Sequence, residues 1–339
     1  MFRRLVAAWN VITLAQQESQ EHHPMLAPAS PRSMKSFGPI YRSLLLAVCV
    51  AAFAPALAAE SAPQPDDSKP WSFAAIADCR RLSERPKGVL ESALQEIRDN
   101  KVASATKFAP AEFVLGCGDI TLAIDDHANW NLWVETFKDA KDKPCFFPVI
   151  GNWDDEDVAF NKKVVLPAQR NVSGDDPWKY YVDWKNVRLI ISHDLKYVEG
   201  LIVSAPEKIQ HIFVADHYPI FPRYAHEAES RADDATFWNM LVKHHDKVRA
   251  LFVGHTHHYS RMRVADPKSA HDVKSFPDEE GGVYQIDCGN AGRGSHGEKV
   301  ATIVEVMVEG KKLRFRAVQA EHAKPSEFKV ADEWTVEQK

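Results

Sequence analysis

Five short apolar runs punctuate the chain, and each ends at a residue able to bind a metal ion. Residues 71–77 run into Asp78, 112–118 into Asp119, and 145–151 into Asn152 with Asp154 close behind. Residues 211–216 run into His217, and 249–254 into His255, Thr256 and His257. Apolar runs of this length, closed by Gly or a polar residue, predict buried strands. Helical spacing appears between them. Residues 88–100 place Val89, Leu90, Leu94 and Ile97 on one face, 125–141 do so with Trp130, Trp133, Val134 and Phe137, and 236–245 with Phe237, Trp238, Leu241 and Val242. In open α/β sheets functional groups gather beyond the carboxyl ends of the strands. Ligand-type residues at five such ends therefore predict one shared site.

The second half changes character. Residues 178–184, 187–192, 282–288, 301–308 and 312–320 read as strands and predict a second, more antiparallel sheet. Two polar segments, 161–177 and 222–234, read as insertions that rim the site. The folded domain is expected over 71–325, with a Pro-, Asp- and Ser-rich linker at 59–70 and a C-terminal tail at 326–339.

The N-terminal region alters the picture of the mature protein. Residues 34–58 have the three parts of a secretory signal: Lys35 and Arg42, an apolar stretch over 44–54, and Ala56-Leu57-Ala58 as a small-X-small cleavage site. The stretch is too short to span a bilayer as a helix. Residues 1–33 are expected to be a misassigned extension, and the mature chain to be periplasmic or secreted with no stable membrane anchor. The net charge of −5 leaves no basic footprint for nucleic acid. Of five cysteines, Cys79, Cys117, Cys145 and Cys288 lie beyond the leader. Their spacing is not that of a zinc ribbon, and both disulfides and buried thiols are open to them. No Gly-X-Ser-X-Gly elbow suggests a serine hydrolase.

The chemistry concentrates at Gly254-His255-Thr256-His257, where two imidazoles, the commonest metal-ligating side chains, stand at a strand end. Asp78, Gly118-Asp119, Gly151-Asn152-Trp153-Asp154, His217 and Gly254-His255-Thr256-His257, in that order, resemble the motifs of the calcineurin-like metallophosphoesterase superfamily. The resemblance extends from about residue 71 to 294. It implies a four-layer α/β/β/α sandwich of two mixed sheets. It also implies a phosphoesterase that attacks a small phosphorylated substrate, monoester or diester, with a metal-activated water. Asp119 would bridge two ions, Asn152, His217 and His255 would complete one site, and Asp78 and His257 would belong to the other. Such mixed oxygen and nitrogen ligands suit Mn, Fe or Zn.

Two departures set the chain apart. The family has a metal-ligating His two residues after the first Asp, and here that residue is Arg80, whose guanidinium cannot ligate. A branch of the family supplies a Tyr three residues after the bridging Asp instead, and here that residue is Leu122. Arg80 either clamps a substrate phosphate, or occupies the place of the first ion, or pairs with a carboxylate. The second departure is Trp153, where most members carry a His that assists outside the metal shell. His258 is a further candidate for contacting phosphate or leaving group, with packing on the rim as its alternative. His193 and His127 are weaker candidates. Arg80 and Trp153 together leave a second function open: a catalytically impaired protein of this fold that binds one metal or a phosphorylated ligand.

Overall fold

The computed structural model describes residues 69–79, 89–104, 106–120, 145–154, 162–163, 172–176, 178–223, 233–272, 274–292 and 299–337. The leader, most of the linker and the two insertions, the helix expected at 125–141, Arg80, Leu122 and His127 lie outside the described residues.

Six strands form the first sheet: β1 (Trp71–Ile76), β2 (Ala111–Cys117), β3 (Cys145–Val149), β11 (Val300–Glu309), β12 (Lys312–Glu321) and β13 (Lys329–Glu337), in the order β13-β12-β11-β1-β2-β3. Seven form the second: β4 (Val172–Asp176), β5 (Lys179–Trp184), β6 (Val187–Ile191), β7 (His211–Ala215), β8 (Val248–Val253), β9 (Tyr259–Val264) and β10 (Val283–Cys288), in the order β4-β5-β6-β7-β8-β10-β9. Both sheets are mixed. β1, β2 and β3 run parallel, as do β6, β7, β8 and β10, while β11 returns antiparallel beside β1.

The partition of strands differs from the expectation. The late strands do not form a sheet of their own: β11 and β12 join the first, with Trp71 opposite Val308 and Ala75 opposite Val304. β7 and β8, which resemble β1 to β3 in sequence, belong to the second. An apolar run reports burial, not the identity of its neighbour. The segment expected as a tail, 326–339, contains the edge strand β13, whose alternate residues turn toward its sheet, Trp334 stacking on Phe315 at 4.8 Å. Half-buried Val330, Trp334 and Val336 alternate with exposed Lys329, Ala331, Glu333 and Thr335, a pattern too polar to register as an apolar run.

Strand alternation divides the side chains into layers. On β1, Trp71, Phe73 and Ala75 face the second sheet, while Ala74 and Ile76 face outward. Phe73 meets Phe213 and Phe252 across the sheets at 5.2 and 6.0 Å. Helix α1 (Val89–Asp99) lays Val89, Leu90, Ala93 and Ile97 on the outer face of the first sheet. Helices α2 (Leu195–Val203) and α3 (Asp234–Lys243) cover the second with Val198, Ile202, Phe237, Trp238 and Leu241. The result is the expected α/β/β/α sandwich, with strands apolar on both faces because both are covered. Among the described residues no helix is long and apolar enough to cross a membrane.

Candidate metal centre

The carboxyl ends of β1, β2 and β3 meet those of β7 and β8 at one end of the sandwich. The cross-sheet joint is short: the His255 N–H donates to Asp78 Oδ2 at 2.9 Å, and within the first sheet the Asp78 N–H donates to the Gly118 carbonyl at 3.0 Å. The backbone bends sharply at four of the six ligand-type residues. Asp78, Asp119, His255 and His257 all have positive φ, between 50° and 71°, a region that non-glycine residues visit at a cost. Close approach also explains two motif glycines. Gly118, at φ +86°, leaves room for the His217 ring, whose Nδ1 would stand 2.3 Å from an added Cβ. A Cβ on Gly151 would sit 2.4 Å from Asp119 Oδ1.

Four of the expected donor atoms converge. His217 Nε2 lies 3.0 Å from Asn152 Oδ1, 3.3 Å from His255 Nδ1 and 3.5 Å from Asp119 Oδ1. Asn152 Oδ1 and His255 Nδ1 are 3.2 Å apart. On the other ring nitrogen, His217 Nδ1–H donates to the Cys117 carbonyl at 2.9 Å. A carbonyl can only accept, so this bond fixes the tautomer and leaves the Nε2 lone pair directed at the cluster, as in metal-ligating histidines. Beside it, Asp78, Asp119 and His257 offer ligand atoms within 4.8 Å of one another, all buried, with His257 Nε2 at 3.4 Å from Asp78 Oδ1.

This donor set fits divalent ions. Two carboxylates without solvent exposure need positive charge close by. Carboxylate, amide oxygen and imidazole together suit first-row transition metals. Asp119, Asn152, His217 and His255 could hold one ion, and Asp78, Asp119 and His257 another.

Surrounding residues hold this geometry. Asp154, buried, accepts the N–H groups of Gly151 and Ile120 at 3.0 and 3.1 Å, joining the loops after β2 and β3. The Trp153 N–H donates to Asp119 Oδ1 at 3.0 Å while its indole is exposed. Thr256, between the two histidines, donates from its hydroxyl to Asp287 Oδ2 at 2.5 Å, and Gly289 N–H reaches Asp287 Oδ1 at 3.1 Å. Burial pushes the Asp287 carboxyl up to about 7 against the pull of these two donors. Burial likewise pushes the Cys79 thiol well up, with Asp78 adding to the effect. His258 is partly buried, and its N–H donates to Thr256 Oγ1 at 3.3 Å. In the turn after β10, Gly289 N–H goes to Asp287 and Ala291 N–H to the Ala77 carbonyl, so these amides serve the turn.

Sequence reasoning missed three neighbours, Asp287 among them. Asp216 holds the His217 N–H at 2.8 Å and faces His193 Nδ1 at 2.8 Å, while His193 Nε2 faces Asp234 at 3.3 Å and the ring stacks on Phe237 at 4.3 Å. Tyr218 lies against His255, ring centroids 4.6 Å apart. The dipeptides Asp216-His217 and His217-Tyr218 were the available signals. A cavity of about 280 Å³, lined by Gly151, Asn152, Trp178, His193, Asp216 and Tyr218 among others, opens beside Asn152.

Among solved structures the chain is similar to GAP50, the anchor in the inner membrane complex of Plasmodium, at 15% identity and TM-score 0.49, covering 80% of this chain and 89% of that one. It is also similar to Vps29 of Chaetomium thermophilum, at 12% identity and TM-score 0.41, covering 79% and 98%. A third is a conserved uncharacterized protein of Streptococcus pneumoniae, a predicted phosphoesterase, at 11% identity and TM-score 0.34, covering 79% and 98%. No curated protein matches the sequence. Residues 73–259 match the calcineurin-like phosphoesterase family. That stretch is more than half of the chain and runs from β1 to the end of the double-histidine loop, so the chain belongs to the calcineurin-like phosphoesterase family.

Proposed function

We propose that this protein is an exported, metal-dependent phosphoesterase. The observation that carries the proposal is the convergence of Asp119 Oδ1, Asn152 Oδ1 and His255 Nδ1 within 3.5 Å of His217 Nε2. Beside this group lie Asp78 and His257. When Mn, Fe or Zn is bound, the centre supplies an acidified water and neutralises charge on phosphoryl oxygens. The chain's own part is to hold donors in place. Asp119 belongs to both groups of ligands, and the Cys117 carbonyl orients His217. Asp287 acts through Thr256 to position the two histidines of the loop. The cavity beside Asn152 receives the organic part of the substrate, and Arg80 and His258 contact its phosphate. The signal-like segment at 34–58 supports export, and the acidic chain is suited to small phosphorylated substrates rather than nucleic acid.

A second reading has its own support. The exposed indole of Trp153 has one N–H and no acid to offer a leaving group, and Arg80 stands where the family carries a ligand. A protein of this kind would bind metal or a phosphorylated ligand with little turnover. Metal content of the purified mature protein, with hydrolysis of an aryl phosphate and an aryl phosphodiester, decides between the two. Turnover with Mn, Fe or Zn is expected. Bound metal without hydrolysis of either ester under any of these ions would establish the second reading instead.

A further inference from the structure

The structure brings together two cysteines that the metal centre does not use. Cys117 ends β2 in the first sheet, and Cys288 ends β10 in the second. Their Sγ atoms are 3.8 Å apart, both are fully buried, and both belong to the apolar layer between the sheets. We propose that Cys117 and Cys288 form a disulfide that ties the two sheets together beneath the metal centre when the chain folds in oxidising surroundings.

The geometry selects this pair. Cys79 lies in the apolar layer on the outer face of the first sheet, with Ile76 and Leu90, and its Sγ faces the Ala77 carbonyl. Cys145 sits at the far end of β3: it pairs with Phe113, whereas Val149, four residues on, pairs with Cys117. That separation is about 13 Å along the strand. A bond across facing sheets is also a known way to pin a β-sandwich, the immunoglobulin domains being the example.

The chemistry is thiol–disulfide exchange with a disulfide oxidant such as oxidised glutathione or a dithiol–disulfide carrier protein. One thiolate attacks the oxidant's disulfide and expels a thiol. The second thiolate then attacks the mixed disulfide, forming the Cys117–Cys288 bond and expelling the other thiol. The oxidant gains two electrons and two protons and the chain loses them. Because both thiols are sealed in the folded core, the exchange takes place before the sheets close. The bond would span 171 residues of chain, and a loop of that size lies at the strongly stabilising end of the scale. It would also brace the strand whose Cys117 carbonyl orients His217 and the strand whose Asp287 holds Thr256.

The test is to refold the full chain in a glutathione redox buffer, alkylate remaining thiols under denaturing conditions, and map the peptides. The expected result is a Cys117–Cys288 linked peptide, with Cys79 and Cys145 alkylated. A melting temperature about 10 °C higher than that of the reduced protein would accompany it. Alkylation of both Cys117 and Cys288 after oxidative refolding, or a linked peptide containing Cys79 or Cys145, would overturn the proposal. Cys288→Ala should return Cys117 to the alkylated pool. The mapping of the unsubstituted chain stands whether or not that variant folds.

Discussion

Around His217 Nε2, Asn152, His255 and Asp119 each present a donor atom within 3.5 Å, and the ring's other nitrogen is tied to a backbone carbonyl. Around His257 the arrangement is thinner: Asp78 lies at 3.4 Å, and the third member of the group is Asp119, shared with the first. The two groups share the loop Gly254–His257 and equal burial of their carboxylates, so the difference lies in the count of ligands and not in the fold. It teaches that, among the described residues, one half of the centre has three donors of its own beside the shared carboxylate, while the other has two. In the sequence this difference is Arg80, a cation standing two residues after Asp78.

Substitutions can break this comparison or sharpen it. The largest effect is expected for Asp119→Ala, which removes the group common to both halves. Hydrolysis of an aryl phosphate should fall by roughly 10³-fold, and metal content should fall with it. The two histidines of one loop then give the direct contrast. His255→Ala should lower kcat/KM by roughly 10²-fold and remove the tighter-bound ion, whereas His257→Ala should cost roughly tenfold and remove the weaker one. Equal losses in a metal titration would show the halves to be equivalent. Arg80→His should move the thinner half toward the fuller one. A gain in bound metal is the expected outcome, and unchanged metal content would show that Arg80 is not what limits that half.

Asp287 supports both halves through Thr256 and gives a pH test. Its carboxyl is raised from 3.8 to about 7 in the folded protein. The native state therefore holds a proton that the unfolded chain has released. Between about pH 4 and pH 7 the metal-free protein should lose about 1.4 kcal/mol of stability per pH unit from this group, and the loss should level off above that window. Asp287→Asn should flatten the slope in urea unfolding followed at pH 5 and pH 8. The smallest effect is expected for His258→Ala, which leaves every buried donor in place. A small drop in kcat with unchanged metal content is anticipated, and loss of an ion would place His258 among the ligands instead.

Much of this was legible from residues alone. Asp78, Asp119, Asn152, His217, His255 and His257 stand at strand ends because uninterrupted apolar runs stop just before them, and the structure gathers all six. What the runs could not convey was partnership. The late strands β11 and β12 read like members of a separate sheet, yet β11 lies against β1 because hydrogen-bonding partners leave no mark in a hydrophobic pattern. β13 escaped because its half-buried residues alternate with exposed, mostly polar ones. Asp216, Asp287 and Tyr218 escaped for a different reason. Their partners, His193, Thr256 and His255, are remote or ordinary in sequence, and only the pairing of β6, β7, β8 and β10 side by side in the second sheet brings them into contact.

The left-handed backbone at Asp78, Asp119, His255 and His257 bears on how this protein would respond to selection. Each such residue costs the fold roughly 1 kcal/mol that a glycine would not. A library screened for heat resistance alone would therefore be drawn to these four positions first. The most readily accepted stabilising changes would be the ones that erase the metal centre. Retention of Asp and His at all four in a heat-selected population would itself be evidence that metal binding repays the conformational cost.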